Sequence, residues 1–143
     1  MTPHPVILEY YACFNDRRFA DGLKLFTTDA VIEHPALGPG THGRDSYLEL
    51  MDSEIHAFPD GRVTVEHVER RGDSIYEVDY VATGTHAGDF DMRGYGGFRA
   101  TGNKATLRFR EVFEIRDDKI AYLSLRLDTH EFLRQLGGGR PNS

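Results

Sequence analysis

At Phe58-Pro59-Asp60-Gly61 the spacing of apolar residues changes from helical to alternating, and this one switch demands helices first and strands second. Before it, Val6, Ile7, Tyr10, Tyr11 and Phe14 recur at helical spacing, which predicts an amphipathic helix over residues 5–15 entered through Pro3 and Pro5. Phe19, Leu23 and Phe26 predict a second, short helix, with Asp29 punctuating before an extended segment over residues 30–34. Residues 35–43 hold Pro35, Gly38, Pro39, Gly40 and Gly43 and read as turns. A third helix is expected over residues 45–56, carrying Tyr47, Leu48, Met51 and Ile55 on one side. After the switch, strands are predicted over residues 62–70, 74–86, 104–115 and 119–127, parted by Gly72-Asp73, a glycine-rich excursion and Asp117-Asp118. A last helical turn or two is expected over residues 129–136. The expectation is an α+β domain in which a curved antiparallel or mixed sheet wraps the N-terminal helices into a cone with an internal pocket.

A chain of 143 residues suits one domain and one core, expected over residues 1–136, with residues 137–143 too poor in apolar groups to order. Seventeen basic residues against 23 acidic ones, scattered rather than gathered into a stripe, argue against nucleic acid as a partner. No apolar run is long enough to cross a membrane, and the first eight residues lack the pattern of a secretory signal, so a cytoplasmic protein is expected. Cys13 is the only cysteine, which removes an internal disulfide or a multi-cysteine zinc site, and its neighbours Tyr11, Ala12 and Phe14 favour a core position over a nucleophile. His34, His42, His56, His67 and His86 stand at no metal-ligand spacing, so no metal is expected.

One acid stands out from periodicity alone. Along residues 104–115 one face reads Ala105, Leu107, Phe109, Glu111, Phe113, Ile115, so Glu111 must be paired, protonated or turned to a solvated cavity. His86 falls in phase with Tyr76, Val78, Tyr80 and Ala82 if Gly84 introduces no bulge, and a surface position beside a turn is the plain reading. Gly94, Gly96 and Gly97 read as a hairpin or lid that lets Phe90, Met92, Tyr95 and Phe98 touch a flat ligand.

Phe58-Pro59-Asp60, Thr83-Gly84-Thr85-His86-Ala87-Gly88, Ala100-Thr101-Gly102, and Asp128 followed by Leu133 and Gln135-Leu136-Gly137 come in an order that resembles the SnoaL-like polyketide cyclases of the nuclear transport factor 2-like superfamily. Two departures from that pattern are Ser124 where a tryptophan is common, and a glycine-rich excursion from Gly88 to Gly102 that is longer than the family's and holds Ala100 where a proline is usual. The resemblance implies a cofactor-independent lyase or isomerase that forms a homodimer, with Asp128 as general acid/base in an intramolecular aldol closure. It also places His86 at the pocket, where it could polarise a carbonyl. Similarity to the ketosteroid isomerases, more distant relatives, implies a base near His34, a protonated acid near Glu111 and a hydrogen-bonding tyrosine near Tyr10. Tyr10, Phe14, Phe109, Ser124, Arg126, Tyr95 and Phe98 are the candidate contacts for an apolar or aromatic substrate. Alternation puts Ser124 and Arg126 in phase with Asp128, opposite the apolar row Ala121, Leu123, Leu125, Leu127. Either the strand bends near its end, or the leucines pack a dimer interface and the polar face lines the pocket. Asp128 could equally cap a following helix. Two further readings stay open: an epoxide hydrolase or epoxide-opening cyclase of limonene-hydrolase type built on Glu111, Asp128 and Arg126, and a small-molecule binding protein without chemistry.

Overall fold

His4 and Pro5 start the first helix: the His4 Nδ1 accepts from the Val6 N–H at 3.2 Å, and proline needs no donor at that position. The computed structural model describes the backbone of residues 4–92 and 96–126, and the side chains of these except 91, 92 and 96–98. Helix α1 (Pro5–Asn15) buries Val6, Ile7, Tyr10, Tyr11, Cys13 and Phe14. Its last residue, Asn15, reaches sideways: its amide donates to the Val63 carbonyl at 2.9 Å and accepts from the Val63 N–H at 2.8 Å. The helix is thereby tied to strand β3 (Arg62–Arg70).

Helix α2 (Phe19–Leu23) is short, and Phe26 belongs instead to strand β1 (Phe26–Glu33), which begins earlier than alternation suggests. The reason is irregular pairing. Strand β1 runs parallel to β8 (Lys119–Arg126), but its register breaks between Phe26 and Val31, so the inward residues Phe26, Ala30 and Ile32 do not simply alternate. A 3-10 turn (Pro35–Leu37) and the short strand β2 (His42–Gly43) occupy the turn-rich stretch. Helix α3 (Ser46–Ala57) buries Tyr47, Leu50, Met51 and Ala57, whereas Leu48, expected on the inner side, is 45% exposed.

The main sheet has six strands in the order β2-β1-β8-β7-β4-β3, completed by β4 (Ile75–Thr85) and β7 (Lys104–Arg116), and it is open rather than closed. Among the described residues only β1 and β8 pair in parallel; the other neighbours are antiparallel. Strands β5 (Phe90–Met92) and β6 (Gly96–Phe98) form a separate hairpin. Asp117 and Asp118, at φ 53° and 60°, make the tight β7–β8 turn, a conformation that aspartate tolerates better than most residues.

Directly opposed residues share a face, which fixes the inner row of the sheet. Phe113, Glu111, Phe109 and Leu107 of β7 stand opposite Tyr76, Val78, Tyr80 and Ala82 of β4, and Phe113 and Glu111 stand opposite Leu123 and Leu125 of β8. The leucines of β8 therefore face the interior and not a second subunit, and Leu123 is fully buried. A bulge between Glu114 and Ile115 sets Ile120 opposite Ile115, so the irregularity in β8 lies at its start and alternation is unbroken from Tyr122 to Arg126. Phe26, Ile7, Ile32, Leu50, Phe113, Ile120 and Leu123 fill the core between sheet and helices, each contributing about 1.5–3 kcal/mol through burial. Among the described residues no helix is long and apolar enough to cross a membrane.

Candidate functional site

Between the curved sheet and helices α1 and α3 lies a cavity with about 700 Å³ of empty space, the open solvent at its mouth included. Phe14, Phe58, Val63, Tyr80, Phe90, Leu107, Phe109 and Leu125 make most of the wall apolar, while His34, Glu54 and Arg62 supply charge-bearing groups. Of the expected substrate contacts, Phe14 and Phe109 stand on this wall.

His34 ends β1 in extended backbone and caps the 3-10 turn, its Nδ1 accepting from the Ala36 N–H at 3.1 Å. Its Nε2 lies 3.5 Å from Glu54 Oε1. The imidazole is 8% exposed, and the Glu54 side chain, 27% exposed, opens onto the cavity. Among the described residues no lysine or arginine pairs with Glu54. Sequence reasoning passed over Glu54, although a signal was present. It stands three residues after Met51 and seven after Tyr47, an acid in the buried stripe of α3.

Glu111 lies in the inner row and is 3% exposed. The Tyr11 hydroxyl donates to its Oε1 at 2.7 Å. Burial pushes the carboxyl up to about 8, with the Tyr11 hydrogen bond opposing and the Glu54 charge adding to the rise. At neutral pH it is mainly a carboxylic acid. Glu111 does not belong to the cavity wall; Tyr80, whose ring centroid is 5.1 Å from that of Tyr11, does. Tyr10 sits in the core, its ring edge-on to Tyr11, Phe26 and Phe113, and burial raises its hydroxyl well above the ordinary tyrosine value.

His86 is 1% exposed and stacks on Phe58 at 5.2 Å, so it stands behind the wall rather than in it. Its Nδ1 lies 3.3 Å from Thr101 Oγ1, and its Nε2 is buried without a hydrogen-bond partner among the described residues. Burial lowers the imidazole from its ordinary value, with Asp89 and the Gly88 backbone opposing.

The strings that carry the family resemblance meet around this histidine as a backbone clasp. Asp60 accepts from the Thr85 N–H at 2.7 Å and the Thr85 hydroxyl at 2.9 Å, which holds its carboxyl below the usual range. The Gly102 N–H donates to the His86 carbonyl at 2.8 Å, and the His86 N–H donates to the Asn103 carbonyl at 2.9 Å. Gly88 passes so near α3 that a Cβ there would lie 2.0 Å from the His56 carbonyl oxygen.

Ser124 and Arg126 lie on the opposite face from Glu111 and Leu125, opposed to Val112 and Arg110, and neither lines the cavity. The same register keeps Arg126 from converging on Glu111. Asp128, Tyr95, Leu127 and the segment 129–143 lie outside the described residues, as does the side chain of Phe98, whose backbone pairs with Phe90. Among the described residues no group of three His, Cys, Asp or Glu could hold a metal ion. Cys13 is buried, and burial pushes its thiol up to about 11, consistent with packing rather than nucleophilic chemistry.

Comparison with known proteins matches residues 7–123 to the SnoaL-like domain model. No curated protein matches the sequence. Among solved structures, IdmH from Streptomyces antibioticus, a candidate polyketide cyclase, superposes with a TM-score of 0.74 at 26% identity over 96% of this chain and 99% of that one. AclR from Streptomyces galilaeus, a candidate hydroxylase, gives 0.73 at 21% identity over 92% of each chain. SalBIII, an epoxide hydrolase/cyclase-like enzyme of pyran ring formation in salinomycin, gives 0.68 at 19% identity over 88% of this chain and 90% of that one.

Proposed function

The chain belongs to the SnoaL-like domain family, and from that premise we propose that it is a small-molecule cyclase or isomerase that closes a ring on an apolar, polyketide-like carbonyl substrate. The observation that carries this reading is the cavity: a mostly apolar chamber with a carboxylate and an imidazole held together at its wall. Such a chamber binds a hydrophobic ligand by burial and offers it few places to exchange protons.

The chemistry needs no cofactor. A base removes a proton from the carbon beside a carbonyl, and the resulting enolate adds its electron pair to a second carbonyl of the same molecule. The alkoxide so formed takes a proton, leaving a cyclic isomer of the substrate. Asp128 is proposed as an acid/base of this sequence on the strength of the family resemblance. Glu111 with its Tyr11 partner, behind the Tyr80 ring, and His86, behind the Phe58 ring, stand one layer back from the cavity and would shape its wall rather than touch the substrate.

The test is turnover of a polyketide-like keto ester. Asp128→Asn is expected to keep the thermal unfolding profile and lose ring closure. Hydrolysis of a simple epoxide in its place would transfer the reading to epoxide opening. Tight ligand binding with no product, unchanged in Asp128→Asn, would reduce the protein to a carrier.

A further inference from the structure

Resting on the reading of the cavity as a proton-transfer chamber, we propose that Glu54 is the carboxylate that takes the proton from the substrate's carbon, and that His34 is its positioning residue. The hydrogen-bond geometry assigns the two roles. Nδ1 of His34 already accepts from the Ala36 N–H, so its lone pair is engaged and the ring hydrogen sits on Nε2. That nitrogen faces Glu54 Oε1. His34 therefore has no free lone pair to offer a substrate, whereas Glu54 has two oxygens, of which only one faces the imidazole.

The surroundings favour Glu54 as well. No lysine or arginine pairs with it among the described residues, and the apolar groups that share its wall, Phe58 and Phe90 among them, would bring an apolar ligand alongside its carboxylate. Helix α3 fixes its height: Met51 and Tyr47, on the same stripe, are buried and hold the Glu54 backbone at the cavity wall. The imidazole, clamped from behind by backbone, selects one carboxylate rotamer, as an orienting group does for a general base.

A probe that needs only a base in an apolar pocket separates this assignment from the identity of the natural substrate. 5-Nitrobenzisoxazole is flat and aromatic. When a base takes its C3 proton, the C–H electron pair completes a nitrile, the N–O bond breaks, and the oxygen departs as a coloured phenolate; the carboxyl then returns its proton to water. With the full chain, saturable elimination is expected. Glu54→Gln should lower kcat about 100-fold with KM changed by less than about twofold. His34→Asn preserves a cap for the 3-10 turn but cannot reach Glu54, and should lower kcat about tenfold at unchanged KM and unchanged thermal unfolding.

Wild-type elimination no faster than that of Glu54→Gln overturns the proposal. A fall in His34→Asn that appears as raised KM or lost stability assigns His34 to the fold and overturns its positioning role. If Glu54→Gln keeps its elimination rate while Asp128→Asn abolishes keto ester closure, Glu54 is not the base but the cyclase reading stands. If elimination depends on Glu54 while the wild type closes no keto ester, Glu54 is the base and the cyclase reading is what fails.

Discussion

Glu54 and Glu111 are both acids set into apolar rows that face the interior, one on the stripe of helix α3 and one on the inner face of β7. Their surroundings drive them apart. Glu111 is sealed between strands and accepts a hydrogen bond from the Tyr11 hydroxyl, and burial makes it hold its proton to about pH 8. Glu54 opens onto the cavity and faces an imidazole. One carboxyl is thereby shut away from the cavity with its proton held, and the other is left accessible at the wall. The contrast also shows that position in a buried row does not define a role; the partner and the access to the cavity do.

The comparison breaks most visibly at Glu111. Glu111→Ala leaves the Tyr11 hydroxyl without its partner and opens a void in the inner row, and should lower unfolding free energy by about 3 kcal/mol in urea denaturation. A smaller effect is in pH dependence. The folded-state value of Glu111, about 8, lies above its ordinary 4.5, so the folded protein holds a proton that the unfolded chain releases. That contribution to stability is complete below pH 4.5, declines as pH rises, and is gone above pH 8. Denaturation midpoints across this range should fall for the wild type, and Glu111→Gln should flatten that part of the profile. Smallest of all is the expected effect of Glu54→Gln on stability, within about 0.5 kcal/mol, because its side chain is partly open and makes no hydrogen bond that the amide cannot replace. A large loss there would mean that Glu54 is structural and would erase the distinction between the two acids.

Only one of these acids was legible in the sequence. In a strand the side-chain period is two, so a single charge in the row Leu107, Phe109, Glu111, Phe113 is conspicuous. A helical stripe is broader, and on α3 the choice between Leu48 and Leu50 as the inner residue also decided whether Glu54 faced in or out. Strand boundaries were clear where antiparallel pairing was regular, as between β4 and β7, and lost in β1, where the broken parallel register hides the alternation. The strings that carried the family resemblance are local backbone devices: Asp60 bonded to Thr85, and Gly88 threaded past His56. They specify the clasp at one end of the cavity. What the cavity holds depends on residues distant in sequence, such as His34 and Glu54, and no local pattern announces that pair.

The side-chain amide of Asn15 has a consequence beyond joining helix to strand. β3 is the last strand on its side of an open sheet, and Val63 is where the amide occupies both an outward N–H and an outward carbonyl. A foreign strand seeking to extend the sheet there would find those groups already taken and would have to displace a helix end to reach them. A single asparagine thus acts as a stopper against edge-to-edge aggregation, a protection that a closed barrel would not need.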